Sequence, residues 1–265
     1  MLKKLVMGLL VLLAASPASA GLKIRPVFDP TGAQPPRVVG GGSLEEIFKV
    51  AAEAWEEVFK TGNGKWDVTI DFGWGDAKSS MARVDDVITQ GGNPVRITRA
   101  RVTFNNSPLI NRPPFFADPT PRDSTEYKKY AAYLLDEVPL NAARSFSEGT
   151  GNAEGTLDLL TIATHEIGHS LGLDGDYAGY RRLCGGDDPG CLVTISAPRP
   201  HPGLQIFLDA GHINDNWPVG KPLMIPFLSE TEWGQRQLIS DLDALLVAEV
   251  SSFRKPKLGV TLPSW

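Results

Sequence analysis

TLDLLTIATHEIGHSLGLD, running from Thr156 to Asp174, is the stretch on which the reading of this 265-residue chain turns. With 3.6 residues per helical turn, His165 and His169 stand at i and i+4, so both project from one face and can close on a single metal ion. A pair of imidazoles favours zinc. Glu166 lies about 100° round the helix from His165, beside the ion without ligating it, which is where a general base belongs. Leu160, Ala163, Ile167 and Leu171 form the opposite, apolar stripe, so the helix can pack on a core and turn its polar face to a cleft. Thr156 is the expected N-cap, and Gly172, three residues past His169, the expected left-handed stop. A His-Glu-x-x-His pattern also arises by chance. Here it sits on a capped amphipathic helix in a chain with only four histidines, which favours the metal site over a decorative pair.

Through Gly172 these residues resemble the signature of the metzincin class of zinc endopeptidases, HExxHxxG, which continues to a third ligand. The chain then departs from that pattern. Gly175 occupies the position where the signature carries His, or Asp in some secreted bacterial members, with Asp174 and Asp176 on either side. A catalytic zinc keeps three protein ligands and one open position, so a third ligand has to come from these aspartates or from farther along. His212, in DAGHIND, is flanked by glycine and small polar residues that let the backbone approach an ion, and it precedes Met224 in PLMIPFL. That order is similar to the metzincin methionine turn beneath the metal, and to leishmanolysin-like relatives whose third histidine follows an insertion. The resemblance therefore implies His165, His169 and His212 as ligands, Glu166 as the base and Met224 as a packing residue under the site. Asp174 or Asp176 is the alternative third ligand; His201, between prolines in PRPHPG, reads as a solvated turn residue.

Downstream of the metal helix, Gly175 to Ala210 is rich in Gly, Pro and Asp and reads as a long structureless insert, a specificity element. It contains Cys184 and Cys191, the chain's two cysteines, whose closeness predicts a disulfide in an oxidising compartment. No cysteine lies ahead of the motif to hold a zinc shut before activation. ISDLDALLVAEV closes the chain as a helix capped at Ser240, with Leu242, Leu245, Leu246 and Val250 as its apolar stripe.

Upstream, Ser43 with Glu46 makes a capping box that opens a helix whose buried stripe is Leu44, Ile47, Phe48, Ala51, Trp55, Val58 and Phe59. Ile24 to Phe28 is a short strand. From Trp66 to Trp74 the period becomes twofold, a half-buried strand. A further strand, Val95 to Phe104, is expected at an edge; the resemblance gives such an edge a peptide-binding role through its backbone, and the alternative is a plain surface strand. A rigid FFADPTP loop, Phe115 to Pro121, leads into an expected helix capped at Ser124 with Tyr127, Tyr130, Ala131 and Leu134 on one face. The order of loop, helix and metal helix is similar to that of secreted bacterial metalloproteases.

The first 20 residues read as a secretory signal: Lys3 and Lys4, the apolar run Leu5 to Ala15, and a small-residue cleavage pattern at Ala18-Ser19-Ala20. The run is too short to span a membrane. Without Lys3 and Lys4 the balance is 24 basic to 31 acidic residues, net −7 with no basic tract, which argues against nucleic acid and anionic membrane as partners. The expectation is an α+β, metzincin-like domain over residues 21–265, a twisted mixed sheet with an active-site helix and a C-terminal helix. Its upper lobe covers about 21–173 and its lower lobe about 174–265. The expected activity is that of a secreted, monomeric zinc endopeptidase acting on protein or peptide substrates. The alternatives are a catalytically weak peptide-binding protein on the same fold and a zinc hydrolase of a non-peptide amide.

Overall fold

The computed structural model describes residues 21–61, 64–107, 113–135, 139–185, 190–214, 220–226 and 232–260, with the backbone alone at 86–88. The expected signal peptide, residues 1–20, lies outside the described residues. In chain order the first half holds β1 (Leu22–Asp29), β2 (Val38–Val39), α1 (Leu44–Val58), β3 (Trp66–Gly75), β4 (Ala82–Gly91) and β5 (Arg96–Asn105). There follow β6 (Phe115–Phe116), β7 (Tyr127–Leu134), β8 (Asn141–Gly149), β9 (Leu157–Asp158), α2 (Leu159–Ser170) and α3 (Ala178–Cys184). The last elements are β10 (Cys191–Thr194), β11 (Gln205–Asp209), β12 (His212–Ile213), β13 (Arg236–Leu238) and α4 (Asp241–Val250). The class is mixed α+β.

The main sheet has the order β1-β3-β5-β4, the first three strands parallel and β4 antiparallel at the edge. Parallel neighbours need a crossover, and α1 supplies it between β1 and β3. The Ser43 side chain accepts from the Glu46 amide at the start of α1, as the capping pattern predicts. The apolar stripe of α1 lies on the sheet, where the Phe48 ring stacks on Phe72 at 4.0 Å. Its far side meets α2: Trp55, fully buried, donates its indole N–H to the Thr164 carbonyl at 2.8 Å. α2, which carries His165 and His169, is thereby fixed to the sheet through α1.

Three smaller sheets complete the chain: β13-β8-β7 and β10-β11-β12, both antiparallel, and the short parallel β2-β6-β9. Among the described residues no helix is long and apolar enough to cross a membrane. Cys184 and Cys191 form a disulfide with Cα atoms 5.2 Å apart; residues 186–189 between them lie outside the described residues.

Four expectations are corrected here. The segment after FFADPTP is a strand, not a helix: β7 pairs with β8 from Tyr127↔Gly149 to Leu134↔Asn141. Its apolar spacing fits a helix and shows no twofold alternation, so the strand is set by its antiparallel partner β8, tertiary pairing overriding the local period. The strand at 95–104 is interior, hydrogen-bonded to β3 on one side and β4 on the other, so it is neither a peptide-binding edge nor a surface strand. The edges of this sheet are β1 and β4, and the register of β4 is broken by shifts at Val84/Asp86 and Val87/Thr89; such irregularity hides a strand from pattern reading. The insert from Gly175 to Ala210 is structured, holding α3 and the β10–β11 hairpin. Finally, β3 is more than half-buried, with the run Ile70 to Trp74 inside.

Candidate metal centre

Asp158, rather than Thr156, caps α2: its carboxylate accepts from the Thr161 amide at 2.9 Å and from Thr161 Oγ1 at 2.8 Å. Thr156 instead donates its hydroxyl back to the Asn152 and Ala153 carbonyls. Behind the cap lies a buried charge cluster. Arg236, with no exposed surface, reaches Asp158 at 3.0 Å and Asp118 at 2.5 Å, and its guanidinium lies 5.0 Å from the Tyr127 ring centre. The β13 strand is thus bolted to the N-terminus of α2.

On α2, Leu160, Ala163, Ile167 and Leu171 are buried as the stripe predicts. Gly172 ends the helix with φ +134°, and a Cβ there would meet the Tyr177 ring at 2.9 Å. Gly168 has a different reason to be glycine. A Cβ at that position would collide with the Met224 sulfur, so its absence lets Met224, fully buried, lie against the helix beneath the histidines.

The structure brings His165, His169 and His212 together, close enough to bind a metal ion, with their ligand atoms all within 4.8 Å of one another. The Nε2 atom of His169 is 3.1 Å from Nε2 of His165 and 3.1 Å from Nε2 of His212. Each Nδ1 faces a backbone carbonyl: Leu223 at 2.8 Å for His165, Leu173 at 2.5 Å for His169 and Ala210 at 3.1 Å for His212. A carbonyl only accepts, so each Nδ1 carries the proton and each Nε2 presents its lone pair to the same point. Three converging lone pairs repel one another unless a cation lies between them. Protonation does not supply that cation. Burial, then the neighbouring imidazoles, push His165 down to about 3 and His212 to about 2, and burial lowers His169 as well.

His212 is delivered by β12, held opposite Asp209 across a two-residue turn in which Ala210 and Gly211 have φ of +46° and +82°. Gly211 N–H donates to Tyr180 of α3 at 2.9 Å, which ties that turn to the insert. Neither aspartate joins the three histidines. Asp174 accepts from the Asp176 amide, and Asp176, with 82% of its side chain exposed, faces Arg181. His201 sits in a turn at φ +55° and is outside the cluster.

Glu166 is 6% exposed beside the triad, its carboxylate accepting from the Val84 amide of β4 while Oε2 has no partner. Burial pushes this carboxyl up to about 8, against the Val84 amide and with the Asp85 charge adding to the rise. A cavity of about 700 Å3 opens over the four residues, with Ser79 to Val84 along one wall and Leu223, Ile225, Pro226 and Gln237 along another. Two contributors were not read from the sequence. The β4 backbone was hidden by its irregular pairing. Asp243 was visible as the fourth residue, N3, of Ser240-x-x-Asp243, a capping box. Its carboxylate accepts from the Leu223 and Met224 amides at 3.1 and 3.0 Å, and so holds the segment whose Leu223 carbonyl orients His165.

Comparison of the chain with protein-family models, with curated proteins and with solved structures finds no match.

Proposed function

We propose that this chain is a secreted zinc endopeptidase of the metzincin type, with His165, His169 and His212 as ligands and Glu166 as general base. The observation that carries the reading is the convergence of three Nε2 lone pairs next to a buried carboxylate with one unpaired oxygen. The donor set fits the ion. Three neutral imidazoles, each with its Nδ1–H committed to a carbonyl and its Nε2 free toward the other two, are a donor set that would hold zinc. When bound there, zinc supplies Lewis acidity, acidifying a water and polarising a carbonyl oxygen.

The chain's own residues account for the remaining needs. With a cation held beside it by the three histidines, which would draw its carboxyl down from about 8, Glu166 Oε2 would take the proton of the attacking water and return it to the leaving nitrogen. Its other oxygen is steadied by the Val84 amide, so the carboxylate is held still while the proton moves. β4 is an edge strand of the main sheet, and residues Ala82 to Val84 of it line the cavity, a position from which an extended peptide can be bound by strand addition, which favours a peptide over an isolated amide. Secretion is supported by the leader pattern and the disulfide. The deciding experiment measures zinc per chain and casein hydrolysis together in the wild type, His212→Ala and Glu166→Ala. One zinc with proteolysis in the wild type, loss of both in His212→Ala, and zinc without proteolysis in Glu166→Ala are the expected results. Zinc without proteolysis in the wild type would move the assignment to a peptide-binding protein or to a different amide substrate.

A further inference from the structure

The β10-β11-β12 sheet places an exposed apolar pair in line with His212. Side chains alternate along a strand, and directly opposed residues share a face. His212 is opposite Asp209, so Phe207, two residues earlier in β11, lies on the same face about 7 Å farther along. Leu192 is directly opposite Phe207 on β10, and on the other flank the Asn214 amide donates to the Phe207 carbonyl at 3.0 Å. The reverse face is core: Cys191, Val193, Ile206, Leu208 and Ile213 are all buried. Leu192 and Phe207, by contrast, are 53% and 43% exposed. Single exposed apolar residues are ordinary on a protein surface; two large ones in cross-strand register are a patch. This patch is continuous with the cleft, because Asp209, Ala210 and His212 on the same sheet line the metal cavity.

We infer that Phe207 and Leu192 form a substrate subsite, which takes an aromatic or branched aliphatic side chain of the polypeptide, two or more residues from the bond that is cut. The inference rests on the endopeptidase reading and deepens it by naming the substrate's chemistry. Extended chain advances about 3.3 Å per residue, so a peptide crossing the metal reaches the patch within two or three residues of the cut. The occupant is therefore the substrate itself, presenting its apolar side chain to the open face of the insert.

The test uses the full mature chain with zinc and a set of twelve-residue peptides built around a cleavage site mapped in casein. Phe or Ser is placed in turn at each position two to five residues from the cut, on either side. Wild type is expected to prefer Phe over Ser at one position by about tenfold in kcat/KM, the scale expected for covering a half-exposed ring. The double variant Phe207→Ser, Leu192→Ser should cut that preference to less than about twofold, while Leu134→Ser, which removes an exposed leucine on β7, should keep it. Cleavage with no positional preference, or a preference that persists in the double variant, would overturn the subsite and leave the protease reading standing. A zinc-loaded wild type that cuts none of the peptides and no casein would overturn both.

Discussion

Replacing Arg236 with methionine removes the one cation buried between Asp118 and Asp158. Those carboxylates are 1% and 2% exposed, and the guanidinium reaches them at 2.5 and 3.0 Å while also donating to the Asp123 carbonyl. Methionine fills most of the volume, so the cost is chiefly electrostatic. Stranding a buried charge by removing its partner costs about 3–5 kcal/mol. For a chain of this length each kcal/mol moves Tm by roughly 2–4 °C, so Arg236→Met should melt about 6–20 °C below the wild type. The charge origin has its own signature. Asp118→Asn alone should destabilise, because it removes a partner of Arg236; in the Arg236→Met background it should stabilise by about 1–3 kcal/mol, because it removes a stranded charge. Asp158 is also the cap of α2, so zinc affinity should fall along with stability in Arg236→Met. Calorimetric melts of the four proteins, with a zinc titration of each, complete the cycle. An Arg236→Met protein melting within about 3 °C of wild type, or an Asp118→Asn change that lowers Tm further in that background, would refute the electrostatic account.

Asp243→Ala should leave the Leu223 and Met224 amides buried without an acceptor, at about 1–3 kcal/mol each, and weaken zinc binding through His165 although Asp243 touches no metal; unchanged affinity in a competition titration would break the proposed link. Gly168→Ala should displace Met224 and lower Tm, and Gly168→Ala with Met224→Ala should recover part of the loss, as a melt of the pair would reveal. Metal-free protein should lose stability on acidification. The triad's pKa values are depressed on folding, to about 3 for His165 and about 2 for His212, so between the unfolded value near 6.5 and those values the unfolded chain binds more protons. That contribution is complete above about pH 6.5 and declines as pH falls; a flat urea midpoint from pH 7 to 5 would contradict it. Reduction of Cys184–Cys191, which closes a short loop, should cost only about 2–3 kcal/mol and leave α2 folded, and loss of helical circular dichroism on reduction would exclude so local a role.

What the linear chain determined on its own was whatever is local. The i, i+4 spacing of His165 and His169 places both on one side of any helix that forms, and the apolar stripe beneath them ensures that one does. The Ser43 and Ser240 caps, the stop at Gly172 and the short disulfide loop are equally short-range, and each was legible. Partnership across distance was not. Tyr127 to Leu134 carries a helical spacing with no twofold alternation, and pairing with β8 makes it a strand. Thr156 and Asp158 are both good caps, and Asp158 wins because Arg236, 78 residues later, holds its carboxylate at the helix end. His212 lies 43 residues from His169 and was one candidate among several. The β11–β12 turn brings its imidazole to the pair, while the aspartates sit in a loop that spends Asp174 on its own backbone. Local spacing specifies which side chains can share a face, but a third ligand must arrive from another element, and only the packing of the whole chain sets where that element ends.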